Sequence, residues 1–109
     1  NKGYGEGRCI TSAMKGLAAT TLTALTDTVD GNFSKYAGKI STLGIIDGNN
    51  PENNYVQLPM DTWTMTKFTV NDYKALVKDL FDGKKTVSGD TANHPEVSIT
   101  VNYATSTIV

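Results

Sequence analysis

Apolar residues recur along the first third of the chain with the period of an amphipathic helix. From Met14 they fall at every third or fourth position, at Leu17, Ala18, Leu22, Leu25 and Val29. This spacing places the side chains on one face of a helix. Asp30 and Gly31 end the pattern, as a glycine just past the last periodic residue often does. We expect a helix that starts at Ser12 as its N-cap, ends at Asp30-Gly31 and buries its apolar face.

A second helix is predicted in "FTVNDYKALVKDLFDGKK". Thr69 is followed three residues later by Asp72, which is a capping-box spacing, and Phe68 and Tyr73 can form a hydrophobic staple. Gly83 ends the helix. Its expected buried face consists of Val70, Tyr73, Leu76, Val77, Leu80 and Phe81.

Strand patterns lie before, between and after these helices. Cys9–Ile10 enters the first helix, "KISTLGII" is β-branched enough for a strand buried on both faces, and "YVQLP" is a short strand. In "HPEVSITVNY" apolar and polar residues alternate from Val97 to Tyr103, which predicts an edge strand. "DGNNPENN" (47–54) is a solvated loop by its turn-forming residues, and "MDTWTMTKF" stays ambiguous.

The order is strand, helix, strand, loop, strand, helix, strand. Strands that alternate with helices through short connections indicate βαβ units, so we expect one α/β domain over residues 1–109 with a mostly parallel sheet and flanking helices.

Composition narrows the function classes. The chain has 109 residues and 11.7 kDa, which suits one domain. Its 10 basic and 11 acidic residues are scattered, so we expect no nucleic-acid partner. One cysteine, Cys9, and one histidine, His94, give neither a disulfide nor a metal cluster, and we expect no cofactor. No apolar run approaches the roughly 20 residues of a membrane helix.

Lys15 is the first candidate functional residue. If Ser12 is the N-cap, Lys15 lies in the first helical turn, where the helix dipole disfavours a cation. It is then either a tolerated surface lysine or a group aimed at a ligand oxygen, because strand ends and helix starts surround ligand sites in open α/β sheets. The hydroxyls of Thr11 and Ser12 lie beside it in sequence.

Other motifs are weaker. "SAMK" spells S-x-x-K, the nucleophile motif of penicillin-binding proteins and serine β-lactamases, but its companion motifs are absent and the chain is too short for that fold. We therefore expect no enzyme. The 47–54 loop lacks calcium-loop spacing. His94 precedes Pro95 and is expected in a turn or loop. Trp63 and Tyr55 can be core residues or can line a cleft.

Several motifs in order resemble one bacterial family. "ITSAMKGLAATTLTALTDTVDGNF", "GKISTLGIIDG", "NNYVQLP" and "VNDYKALVKDLFDGKKTV" are similar to the C-terminal part of basic membrane proteins. These are substrate-binding lipoproteins of ABC transporters, similar to purine nucleoside receptors. The resemblance covers most of residues 9–88.

The resemblance implies a type I periplasmic-binding-protein-like (Rossmann-like) fold, of which this chain is part of the C-terminal lobe. It also implies extracytoplasmic binding of a nucleoside-like ligand, an ABC permease as partner, and membrane anchoring through a lipid on a preceding segment. In the nucleoside-binding members, the lysine that matches Lys15 contacts the ribose. Ser12 and Thr11 are the neighbouring candidates for ligand contact.

The sequence departs from the family's motifs at two places that bear on the expected nucleoside ligand. The acidic residue that precedes the lysine turn in the family, in a "GxDxDQ" strand, has no match in "NKGYGEGR", and Gln57 stands where a glycine is usual in the family. A free-standing α/β interaction domain without a ligand site is the alternative function. In either case an uncovered sheet edge or interlobe face makes self-association an expectation.

Overall fold

The computed structural model describes residues 7–93 and 96–100. The chain forms β1 (Met14–Lys15), α1 (Leu17–Val29), β2 (Val56–Gln57) and α2 (Val70–Phe81), with 3₁₀ turns at Phe33–Lys35 and Pro51–Asn53. The two strands pair antiparallel. The fold is therefore mixed α/β, and no parallel sheet is seen among the described residues.

Helix α2 has the ends that its sequence predicts. The Thr69 hydroxyl accepts a hydrogen bond from the Asp72 amide, and the Asp72 carboxylate accepts one from the Thr69 amide. These reciprocal bonds satisfy two of the free N–H groups at the start of a helix. At the other end Gly83 adopts the left-handed conformation at φ 72°, so the predicted capping box and stop are both confirmed.

The core of the described chain lies where α2 meets β2. Tyr73 and Val77 are the buried apolar residues among the described positions. The Tyr73 hydroxyl accepts a hydrogen bond from the Leu58 amide at 3.0 Å, which ties the helix to the chain just after β2. Trp63 packs against two aromatic rings, with its centroid 5.5 Å from that of Tyr73 and 6.0 Å from that of Phe68.

Helix α1 is present but is turned opposite to the expectation. Its half-buried residues are Ala19, Thr20, Thr23, Ala24 and Asp27. The predicted core face is exposed instead, with 67% of Leu22, 59% of Leu25 and 87% of Val29 accessible to solvent. Threonine is accommodated on the inward face because its hydroxyl donates a hydrogen bond to the carbonyl one turn earlier. Thr20 donates in this way to Gly16, and Thr23 to Ala19.

The C-terminal end of α1 is held by polar contacts. Asp27 accepts hydrogen bonds from Lys35 at 2.8 Å and from the Tyr36 hydroxyl. The bond from Lys35, followed by that from Tyr36, lowers the pKa of Asp27 below its ordinary value. Gly31 follows in the left-handed conformation at φ 76°, as the sequence predicts.

Three of the predicted strands do not form in the described residues. Cys9–Ile10 and 40–46 are irregular, and so is 96–100. Ile40 is fully exposed, which contradicts the expected burial on both faces. A strand needs a ladder partner, whereas segment 40–46 has one backbone bond to another described segment, from the Tyr55 amide to the Gly44 carbonyl. Residues 101–103 of the last predicted strand lie outside the described residues.

No described helix combines the length and the hydropathy needed to cross a membrane.

Candidate functional site

Lys15 lies on a strand and not in a helical turn. It is the second residue of β1, and α1 begins only at Leu17, with Gly16 at the N-cap and no side-chain cap. The prediction that Ser12 caps this helix is therefore wrong. The reason is tertiary: Lys15 pairs with Val56 across the ribbon, and the Gly16 amide bonds to the Tyr55 carbonyl at 2.8 Å. These bonds keep the chain extended for four residues beyond Ser12.

Gly16 fixes the position of the strand against its neighbour. A β-carbon at this position would lie 2.1 Å from the carbonyl oxygen of Asn54, so a residue with any side chain would displace the contact. The backbone of Gly16 is at φ -75°, which every residue can adopt, so close approach alone requires glycine here. Lys15 consequently belongs to a backbone that is paired with β2 and is followed by a closely packed glycine.

The loop 47–54 holds Asn54, the residue that Gly16 approaches. The Asn54 side chain is completely buried and makes three hydrogen bonds. Its Oδ1 accepts from the amides of Ile46 at 2.6 Å and Asp47 at 2.7 Å, and its Nδ2 donates to the Asp47 carbonyl at 2.9 Å. The predicted loop is confirmed, but it is not simply solvated, because Gly48 and Pro51 are buried with Asn54.

Asp47 organises the exposed side of the same loop. Its carboxylate accepts hydrogen bonds from the Asn53 side chain at 2.7 Å and from the amides of Asn49 and Asn50. These bonds favour the ionised form and lower the pKa of Asp47, with the Asn53 side chain contributing most. A carboxylate so engaged is a structural group of the loop. No group of three or more potential metal ligands occurs in the described part of the chain.

The β1–β2 ribbon has two different faces. Met14 lies opposite Gln57 and Lys15 lies opposite Val56, and residues opposite one another share a face of an antiparallel pair. The Lys15 side chain is exposed and takes part in none of the ion pairs among the described residues. Its ammonium is thus a hydrogen-bond donor on a paired backbone, without a carboxylate partner in the part of the chain that the structure describes.

The two hydroxyls predicted beside Lys15 do not join it. Thr11 and Ser12 are half-buried, and neither bonds to the lysine in the described structure. The Ser12 Oγ is buried without a hydrogen-bond partner within this part of the chain. Because residues 12–15 are not helical, Lys15 does not lie one helical turn from Ser12, and the geometry that S-x-x-K enzymes need is absent here.

The other face of the ribbon borders a hollow of about 290 Å³ that the sequence did not indicate. Its lining combines apolar and acidic or amide side chains: Met14, Leu58, Pro59, Met60, Glu52, Gln57 and Asp61. The Gln57 amide nitrogen donates to the carbonyls of Asn54 at 2.7 Å and Glu52 at 2.5 Å, so this side chain is held in place. No sequence motif connects these residues, which the ribbon pairing and the 47–54 loop bring together.

Trp63 and Tyr55, which the sequence placed either in the core or at a cleft, both make hydrogen bonds within the fold. Trp63 donates its indole N–H to the Phe68 carbonyl at 2.8 Å, next to the start of α2. Tyr55 donates its hydroxyl to Thr23 at 3.1 Å and so connects α1 to β2, beside a second hollow of about 120 Å³. His94 lies outside the described residues.

Comparison with known proteins yields no relative: no protein-family model, curated protein or solved structure matches the chain.

Proposed function

We propose that this chain is part of one α/β lobe of an extracytoplasmic solute-binding lipoprotein of the basic membrane protein family. In this role Lys15 donates hydrogen bonds to a small polar ligand, for which a purine nucleoside is the first candidate. The protein performs no chemistry and delivers the ligand to an ABC permease. A lipid on a segment outside this chain anchors it to the membrane. Domain closure of the kind seen in periplasmic binding proteins traps the ligand.

The observation that carries the proposal is the state of Lys15. Its backbone is paired to β2 and followed by a glycine that packs against the Asn54 carbonyl, while its ammonium has no carboxylate partner among the described residues. A binding group on an ordered backbone loses less conformational freedom when a ligand arrives. In a closed cleft, exclusion of water strengthens the charged hydrogen bond.

The exposed stripe of α1 supports the proposal that the chain belongs to a larger fold. Leu22, Leu25 and Val29 form an apolar row, and in α/β proteins such a row packs on a sheet. The same row also favours the alternative function, a free-standing interaction domain in which another protein covers α1. Ligand binding through Lys15 separates the two functions, since the interaction domain has no solute site.

The test is calorimetric titration of a nucleoside panel into the 109-residue chain and into a longer protein that contains both proposed lobes. We expect submicromolar binding by the two-lobe protein, weakened at least tenfold by Lys15→Ala, which is about 1.4 kcal/mol. Lys74→Ala is the matched control, because Lys74 is an exposed lysine on α2 away from the ribbon.

Two results contradict the proposal. Absence of heat with every nucleoside would remove the ligand class. Equal losses in Lys15→Ala and Lys74→Ala would show that the effect is one of general charge, and would return Lys15 to the role of a surface lysine.

A further inference from the structure

The hollow on the face of the ribbon opposite Lys15 has the lining of a ligand site. Met14, Leu58, Pro59 and Met60 supply apolar walls, and Glu52, Gln57 and Asp61 supply polar groups. Its volume of about 290 Å³ corresponds to roughly ten water molecules. This is close to the lower end of the range for small-molecule sites, which typically combine apolar walls with a few polar groups.

The polar side chains of the hollow offer acceptors and no free donor. The Gln57 amide nitrogen donates to two backbone carbonyls, so its Oε1 oxygen remains as an acceptor. Glu52 and Asp61 are exposed carboxylates, and neither takes part in an ion pair in the described part of the chain. A ligand that satisfies this lining must bring the donors, and two carboxylates favour a positive charge on it.

The apolar walls indicate what carries the charge. Met14 and Met60 have flexible, polarisable side chains that adapt to the shape of a ligand and make favourable contacts with aromatic rings. Lys15 does not oppose a cation here, because its side chain belongs to the other face of the ribbon.

We propose that this hollow binds a small organic cation, a primary ammonium on an aromatic or aliphatic body. The ammonium donates to Glu52, Asp61 and Gln57, and the body lies against Met14 and Met60. The proposal goes beyond the solute site at Lys15, because it concerns the other face of the ribbon and a cationic ligand in place of the neutral nucleoside.

The probe is 2-phenylethylamine, with 2-phenylethanol as the neutral control of the same shape. The chain has three methionines, so methyl-labelled methionine gives three NMR signals. We expect the amine to shift the Met14 and Met60 signals and not that of Met65, which does not line the hollow. We also expect it to bind at least tenfold more tightly than the alcohol. Equal binding of both compounds, or no shift at millimolar amine, overturns the proposal.

Variants locate the charge that matters. Asp61→Asn should weaken the amine at least fivefold, whereas Glu96→Gln, which removes an exposed carboxylate outside the hollow, should stay within twofold of the unmodified chain. Equal losses in both would show attraction by net charge and would refute the site. Binding of the amine without binding of any nucleoside would refute only the nucleoside proposal. Binding of a nucleoside without binding of the amine would refute only the proposal of a cation site.

Discussion

Replacing Asn54 by alanine should destabilise the loop that supports β1. The substitution leaves three backbone groups without partners: the amides of Ile46 and Asp47 and the carbonyl of Asp47. These groups are part-buried, so each unpaired group costs towards the lower end of about 1–3 kcal/mol. A water that enters the vacated space recovers part of this, so we expect a net loss of about 3 kcal/mol.

Asn54→Asp tests the donor alone. It keeps one acceptor oxygen but turns a charged oxygen towards the Asp47 carbonyl in a fully buried position. The new oxygen cannot donate to the Asp47 carbonyl and at neutral pH repels it, whereas the amides of Ile46 and Asp47 keep an acceptor. The variant is therefore expected to lose about 1–3 kcal/mol of stability through the unpaired carbonyl.

Urea unfolding followed by the fluorescence of Trp63, the one tryptophan of the chain, measures the free energy change. Amide hydrogen exchange reports the local effect, since Ile46 and Asp47 should exchange faster in Asn54→Ala. Asn49→Ala is the control, because its side chain is exposed and should change stability by less than about 0.5 kcal/mol. If Asn54→Ala matches this control in both measurements, the buried asparagine does not hold the loop and the reasoning fails.

Two further substitutions test the ends of the helices. Gly16→Ala should cost about 3 kcal/mol by urea unfolding, because its β-carbon would collide with the 47–54 loop, whereas Gly44→Ala meets no atom within 4 Å and should be nearly neutral; similar losses in both would refute the close contact. Thr69→Ala should cost about 1 kcal/mol through loss of the helix cap. The Thr69 amide and then its hydroxyl lower the pKa of Asp72, so the stability that this carboxylate gives is present at neutral pH and is lost as pH falls through its folded pKa. Thr69→Ala keeps the amide donor, which is the larger cause of the lowered pKa, and removes the hydroxyl donor. It should therefore flatten the acid limb of a stability–pH curve only in part, and an unchanged limb would contradict the share assigned to the hydroxyl.

Local signals in the sequence were sufficient where the interactions are local. The Thr69 and Asp72 spacing gave the capping box, and Gly31 and Gly83 marked helix ends, because each depends on residues within one turn. Loop 47–54 followed from its turn-forming residues, although the burial of Asn54 did not.

Long-range partners explain the failures. Periodicity shows that α1 has an apolar row. Which side of the helix packs inward depends on its contacts with other segments, and here it is the side with Thr20 and Thr23. Segment 40–46 has the composition of a strand, yet composition supplies no ladder partner. Ser12 is a good N-cap residue by type, but pairing with β2 moved the helix start to Gly16.

The sequence by itself thus determined the two helices, their C-terminal stops and the cap of α2, since hydrogen bonds within a few residues decide them. Only the tertiary structure decided that Lys15 lies on a strand, that Met14 and Gln57 border a hollow on the opposite face, and that Asn54 is buried. The strand pairing that places Lys15 and Met14 joins residues about 40 positions apart along the chain, and the Asn54 side chain bonds to residues 7 and 8 positions away. Such contacts depend on how the segments pack in three dimensions, which no local pattern of residue types specifies.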